Sequence, residues 1–183
     1  MTLQRFVSLA TLVVLLTGCG AESHPTPKVS VQTIDATGLK QAIAKHRGHV
    51  VLVDYWATWC KPCVELLPHT AELQQRWANR GLTVITVSMD DPKQRSAVES
   101  LLSRQSVAAE NYLSNYGVGP DAFTAFGIED GAVPHMQLFD RRGSLHKTFA
   151  SGGLSLNPIE IDRAITHLLD DAKQNSPRPL GDD

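Results

Sequence analysis

Cysteine is scarce in this chain: three residues in 183, at positions 19, 60 and 63. There is one C-x-x-C and no second, so neither a four-cysteine zinc site nor a stapled disulfide framework can be built from them. The seven histidines are scattered, with no H-x-x-x-H pair and no cysteine–histidine cluster at ligand spacing. No resident metal or other cofactor is therefore expected. Charge of one sign is lacking too. Seventeen basic residues against nineteen acidic ones leave a net charge of −2, which removes the electrostatic case for nucleic acid. No internal repeat is present. The length suits one domain of ordinary size, and 42% hydrophobic with 20% charged residues is the composition of a globular one.

The first residues read as a targeting segment. Arg5 precedes an apolar run from Phe6 to Leu16. Eleven residues suit a signal-peptide core and fall short of the roughly 20 that span a bilayer. Leu16-Thr17-Gly18-Cys19 then resembles the L-[AST]-[GA]-C signal of bacterial lipoproteins. That resemblance implies a signal peptide over 1–18 and a lipid on Cys19, which anchors the protein to a membrane of the bacterial envelope. The domain then faces the periplasm, or the outer surface of the cytoplasmic membrane in a Gram-positive cell. Gly20, where enteric inner-membrane lipoproteins carry aspartate, leans toward the outer membrane. In such a compartment disulfides persist.

Residues 19–28, with Pro25 and Pro27, read as a tether, and 173–183, with Pro177 and Pro179, as a flexible tail. One domain lies between, over 29–172. Val29–Ile34 alternates as an edge strand. Thr37 is placed to cap a helix running to Arg47. His49–Tyr55 and Leu82–Met89 are nearly continuous apolar runs, the pattern of strands covered on both faces. Pro62 opens a helix at its first turn, and Asp90-Asp91-Pro92 opens another. Ala108–Leu113 is a short extended segment and Pro120–Phe126 a short helix. Val133–Asp140 and Leu145–Ala150 form a hairpin about Arg142-Gly143, and a final helix runs from Pro158 to Ala172. Strands alternating with helices, then a hairpin and a helix, predict an α/β fold. A central mixed sheet is flanked by helices, with an insertion over 90–121 after the second buried strand.

Cys60-Lys61-Pro62-Cys63 stands where a buried strand gives way to a helix. A thiolate is the nucleophile of disulfide exchange. The positive end of a helix dipole and its free N–H groups favour that form at Cys60. Cys63, one turn in, is placed to resolve a mixed disulfide formed at Cys60. Pro62 stiffens the turn and Lys61 adds positive charge. Asp54 is an acid inside an apolar strand, which is costly without a partner or a task.

Val51-Leu52-Val53-Asp54-Tyr55-Trp56-Ala57-Thr58-Trp59-Cys60-Lys61-Pro62-Cys63 resembles the thioredoxin active-site segment. The Ala-Thr-Trp-Cys form and the exported setting are closest to the membrane-anchored TlpA/ResA type. Pro68 matches the family's helix-kinking proline, and Phe126-Gly127-Ile128 with Ala132-Val133-Pro134 matches the segment that carries its cis-proline. The resemblance covers about 29–172 and implies a thioredoxin fold. It further implies a cis Val133-Pro134 bond beside the sulfurs, with Val133 free to hold an extended peptide. Trp59 is the tryptophan expected to be exposed toward substrate, and Asp54 is implied as general base toward Cys63. The lysine that accompanies that aspartate in simple thioredoxins aligns with Thr86. His135 reads as an exposed strand residue and Glu65 as solvated.

The leading expectation is a thiol–disulfide oxidoreductase acting on exported cysteine-containing proteins, more as reductase than oxidant, with a membrane electron donor or acceptor. Two other classes stay open. A thiol peroxidase needs T-x-x-C, and Thr58 is at the wrong offset. A binding module or copper chaperone of related fold uses C-x-x-x-C, one residue longer than the spacing here.

Overall fold

A computed structural model of the chain describes residues 29–174. The expected signal peptide, Cys19, the tether up to residue 28 and the tail from 175 onward lie outside the described residues. Eleven α-helices and strands follow one another along the described residues: β1 (Gln32–Ile34), α1 (Ala36–Lys45), β2 (Val50–Trp56), α2 (Lys61–Trp77), β3 (Leu82–Ser88), α3 (Arg95–Arg104), β4 (Glu110–Ser114), α4 (Pro120–Ala125), β5 (His135–Phe139), β6 (Leu145–Ala150) and α5 (Pro158–Gln174). The six strands form one mixed sheet in the order β1-β4-β3-β2-β5-β6. The first four pair in parallel, β5 joins β2 antiparallel, and β6 pairs antiparallel with β5 at the edge.

All seven residues of β2 are buried. Because side chains alternate across a strand, β2 serves two cores. Val51, Val53 and Tyr55 pack with Leu39 and Ile43 of α1 and Val98 and Leu102 of α3. Val50 and Leu52 pack with Leu73 of α2 and Ile161, Ile165 and Leu169 of α5. Double coverage is why the sequence of β2 shows a continuous apolar run instead of alternation. Its C-terminal end, at Trp56, delivers the chain to the cysteines.

Several boundaries differ from the sequence expectation for local reasons. β1 is shorter than 29–34 because the main chain of Val31 is taken by α3: its N–H donates to Glu99 at 3.2 Å and its carbonyl accepts from Arg95. Asp35, not Thr37, caps α1, accepting the Gly38 N–H at 2.6 Å. Asp91 caps a 3-10 turn over Pro92–Gln94, so α3 begins only at Arg95. The segment near 108–113 is a full strand, β4, inserted between β1 and β3. The 90–121 insertion thus widens the sheet by one strand and adds α3. β5 starts at His135, past Pro134, which has no N–H for the ladder.

Candidate active site

Trp56 ends β2, and a tight turn follows in which the Cys60 N–H donates to the Ala57 carbonyl at 3.1 Å. Cys60 is the N-cap of α2, and its sulfur accepts the Cys63 N–H at 3.3 Å. That contact satisfies one of the free donors at the start of the helix. The two cysteines are joined as a disulfide, Cα–Cα 5.3 Å. Pro62 sits in the first turn, where its missing N–H breaks no bond, and Pro68 lies inside α2. Cys60 is 5% exposed and Cys63 is buried deeper, so one face of Cys60 meets solvent.

Across from Cys60, the Val133-Pro134 bond is cis, and the Val133 carbonyl oxygen lies 3.5 Å from Cys60 Sγ. In the disulfide this is a van der Waals contact. After reduction the Cys60 thiol can donate to it. Trp59, Cys60, Phe123 of α4, Ala132, Val133 and Gly153 border an open groove of about 400 Å³. Trp59 is 53% exposed at its rim, whereas Trp56 is wholly buried. Lys61 also borders the groove, its side chain 88% exposed and 3.6 Å from Glu65. Its charge is thus shared with a carboxylate and screened by water, which weakens its expected pull on the Cys60 thiolate. Glu65, in turn, is exposed but paired.

Asp54 lies mid-β2, with Thr86 of β3 and Met136 of β5 as its neighbours in the sheet. Burial raises its pKa from the ordinary carboxylate range to about 7, against the Thr70 hydroxyl, which donates to it at 2.7 Å. Thr86 stands beside Asp54 as the alignment expected, but its hydroxyl is turned to Asn111 at 2.8 Å. Thr70 lies seven residues past Cys63 on α2, two turns along the same buried side. That sets the donor to Asp54 about 10 Å from Cys63 along the helix axis.

His135 corrects an expectation. It is 2% exposed, not solvated, because antiparallel pairing puts it opposite Tyr55, whose ring meets it edge-on at 5.8 Å. Its Nδ1 is 3.4 Å from Asp130. Burial lowers its pKa, opposed by Asp130 and Glu129. Sequence reasoning also missed Asp90, read as part of a helix start. It points inward and holds Thr58 by two hydrogen bonds. The signal was present: an acid directly after a continuous apolar strand is costly to bury without a partner, as Asp54 is within one. Among the described residues no three histidine, cysteine or acidic side chains converge as a metal site.

A family model described as Redoxin matches residues 21–155. The chain is 28% identical over 120 residues to the thiol-disulfide oxidoreductase ResA of Geobacillus thermodenitrificans (strain NG80-2), covering 62% of this chain and 61% of that protein. It is 32% identical over 119 residues to ResA of Bacillus thuringiensis subsp. konkukian (strain 97-27), covering 61% and 60%. The chain therefore spans about three fifths of the length of these relatives. A thioredoxin-family thiol:disulfide interchange protein from Chlorobium tepidum TLS superposes with a TM-score of 0.55 at 22% identity, over 81% of this chain and 99% of that one. A thioredoxin-like protein from Porphyromonas gingivalis superposes with a TM-score of 0.56 at 22% identity, over 68% and 78%. At that identity the two structures show a common fold. The chain belongs to the Redoxin family and, by its fold and its relatives, is a thioredoxin-like protein of the TlpA/ResA type.

Proposed function

We propose that the protein is a thiol–disulfide oxidoreductase of the bacterial envelope, acting mainly as a reductase of exported proteins. The observation that carries the reading is the Cys60–Cys63 disulfide at the start of α2, with Cys60 on the border of a groove beside Val133. The ResA relatives' name as thiol-disulfide oxidoreductases supports it. The reduced protein starts with a Cys60 thiolate, favoured by the helix end and the Cys63 N–H. That thiolate attacks one sulfur of a substrate disulfide. The substrate S–S bond breaks, a mixed disulfide forms at Cys60, and one substrate thiolate leaves. Cys63 then loses its proton and attacks the Cys60 sulfur. The internal disulfide closes and the second substrate thiolate leaves, so two electrons have passed to the substrate. Asp54 takes the Cys63 proton through water, a role that suits a carboxyl with a pKa near neutrality. An external dithiol of the membrane must return two electrons before the next cycle.

Val133 holds the substrate strand by its main chain, Trp59 packs beside the cysteine it presents, and Pro134 keeps a competing N–H away from the sulfur. Export and anchoring rest on the sequence: residues 1–18 as signal, Cys19 as lipid site, 19–28 as tether, 29–172 as the working domain and the remainder as tail. The reductase direction is supported by Asp54 and by the weak hold of the exposed Lys61. A peroxidase reading has less in its favour, because the Thr58 hydroxyl is committed to Asp90 at 2.6 Å.

The test is the reduction potential of the full chain carrying Cys19→Ser, followed by tryptophan fluorescence across a thiol buffer series. A value below about −250 mV, near that of thioredoxin, supports the reductase. A value above about −150 mV overturns that direction, and the absence of a reversible two-cysteine couple overturns the oxidoreductase.

A further inference from the structure

Asp90 follows β3 directly and is 0% exposed. Its carboxylate accepts three hydrogen bonds: from the Thr58 N–H at 2.9 Å, the Thr58 hydroxyl at 2.6 Å and the Ser88 hydroxyl at 2.7 Å. All three donors are neutral. The Asp90 N–H in turn donates to the Ser88 hydroxyl oxygen at 3.2 Å. Burying a carboxylate is costly unless donors converge on it, and here two of the three come from the turn that precedes Cys60. The same turn is tied at its start, where the Met89 N–H donates to the Trp56 carbonyl at 2.7 Å. The end of β3 therefore grips the Trp56–Cys60 segment at two points, and Asp90 makes the grip nearest the sulfur.

We propose that Asp90 is a positioning residue for the Cys60–Cys63 couple, fixing the turn that carries Cys60 and biasing the pair toward donating electrons. The proposal rests on the reading of that pair as a redox couple. Position alone could be held by a neutral acceptor. A carboxylate also places negative charge beside the segment that carries the attacking sulfur. Like charge disfavours the Cys60 thiolate and so the reduced pair. A less stable reduced pair is a better reductant. Asp90 thus opposes the helix end and Lys61, which stabilise the thiolate, and it does so from a buried site where water screens little. The contact with Thr58 makes Thr58 part of the same device: its hydroxyl and N–H spread the carboxylate's charge.

The experiment uses the full chain carrying Cys19→Ser, with Asp90→Asn and Thr58→Val added separately. Equilibration with a glutathione series gives the potential, and the pH dependence of iodoacetamide alkylation gives the Cys60 titration. Asp90→Asn keeps the size and an accepting oxygen but removes the charge. It is expected to favour the reduced pair about tenfold, a rise of ~30 mV, and to let Cys60 ionise at lower pH. Thr58→Val keeps the carboxylate and removes one donor, so the charge is less well dispersed. It is expected to move both readouts the opposite way by about threefold, and Thr58→Ser to restore them. If Asp90→Asn does not fold, the Thr58 pair of variants decides alone. A normal wild-type couple that the folded variants leave within twofold overturns this proposal and spares the functional reading. A wild-type chain with no reversible couple overturns both.

Discussion

The Val133 carbonyl oxygen stands 3.5 Å from Cys60 Sγ, so the main-chain group proposed to hold substrate and the sulfur proposed to attack it are in contact. Gly153 approaches the same carbonyl. A Cβ built on it would come 3.9 Å from Ala132 Cβ and 4.0 Å from the Val133 oxygen, and its φ is +86°. Glycine is the residue that adopts such a φ without strain, and its bare face leaves the carbonyl open. Gly153→Leu is expected to cover it. KM for a peptide disulfide should rise about tenfold, the loss of one hydrogen bond. Reduction of the Cys60–Cys63 bond by a small dithiol should stay within about twofold. Steady-state turnover with both reductant and peptide varied checks this.

The depth difference between the two sulfurs predicts an asymmetry in trapping. Cys60 borders the groove and Cys63 lies beneath it. Cys63→Ser is expected to accumulate mixed disulfides with substrate through Cys60, because nothing remains to resolve them. Cys60→Ser is expected to accumulate almost none. Non-reducing electrophoresis followed by mass spectrometry of the adducts reads the outcome, and equal trapping by both variants would reverse or abolish the assigned roles.

Much of this site could be read from the sequence because its chemistry is local. Cys60, Pro62 and Cys63 lie within one helical turn, and β2 declares itself by a run buried on both faces. The strand β4 was harder: Glu110–Ser114 is short and half-polar, and only its place between β1 and β3 makes it a strand. His135 and Asp90 were misread for a related reason. Each side chain's surroundings are set by a residue far along the chain, Tyr55 for one and Thr58 for the other, and spacing within a segment carries no trace of such contacts. Asp35 took the cap expected of Thr37 because both types suit the position. The choice between them rests on where the strand β1 stops.

His135 makes stability depend on acid. Its folded pKa lies below the ordinary histidine value because burial disfavours the charged ring, with Asp130 and Glu129 opposing and Tyr55 packed against it. The unfolded chain therefore binds more protons, and this group's effect is a loss of stability as pH falls through about 6.5 toward the folded value. His135→Leu, which fills similar space without a titrating ring, is expected to gain on the wild type as the pH is lowered from 7.5 to 5. Asp130 keeps a partner in the Gly152 N–H at 3.2 Å. Urea unfolding of the oxidised proteins at the two pH values measures the difference, and a gain that does not grow in acid would contradict the assignment.

Asp54 has the opposite sign. Its pKa is raised by burial from 3.8 to about 7, so between those values the folded chain holds a proton that the unfolded chain has released. Stability falls as pH rises through that window and levels off above about 7. The full effect is on the order of 4 kcal/mol, at about 1.4 kcal/mol per pK unit. Asp54→Asn removes the titration, so the variant should gain on the wild type by about 3 kcal/mol between pH 5 and pH 8, less than the full amount because part of the window lies below pH 5. The same substitution should slow release of the mixed disulfide at pH 7 by about a hundredfold, the low end for a lost acid–base group. It should also abolish the inflection near pH 7 in that rate. Thr70→Val, which takes away the donor at 2.7 Å, should move the inflection to higher pH. Stopped-flow kinetics of the Cys60 adduct and unfolding curves at both pH values separate the two effects. A stability gain without a kinetic change would make Asp54 a buried acid with no part in the exchange, and the proton of Cys63 would then pass to water alone.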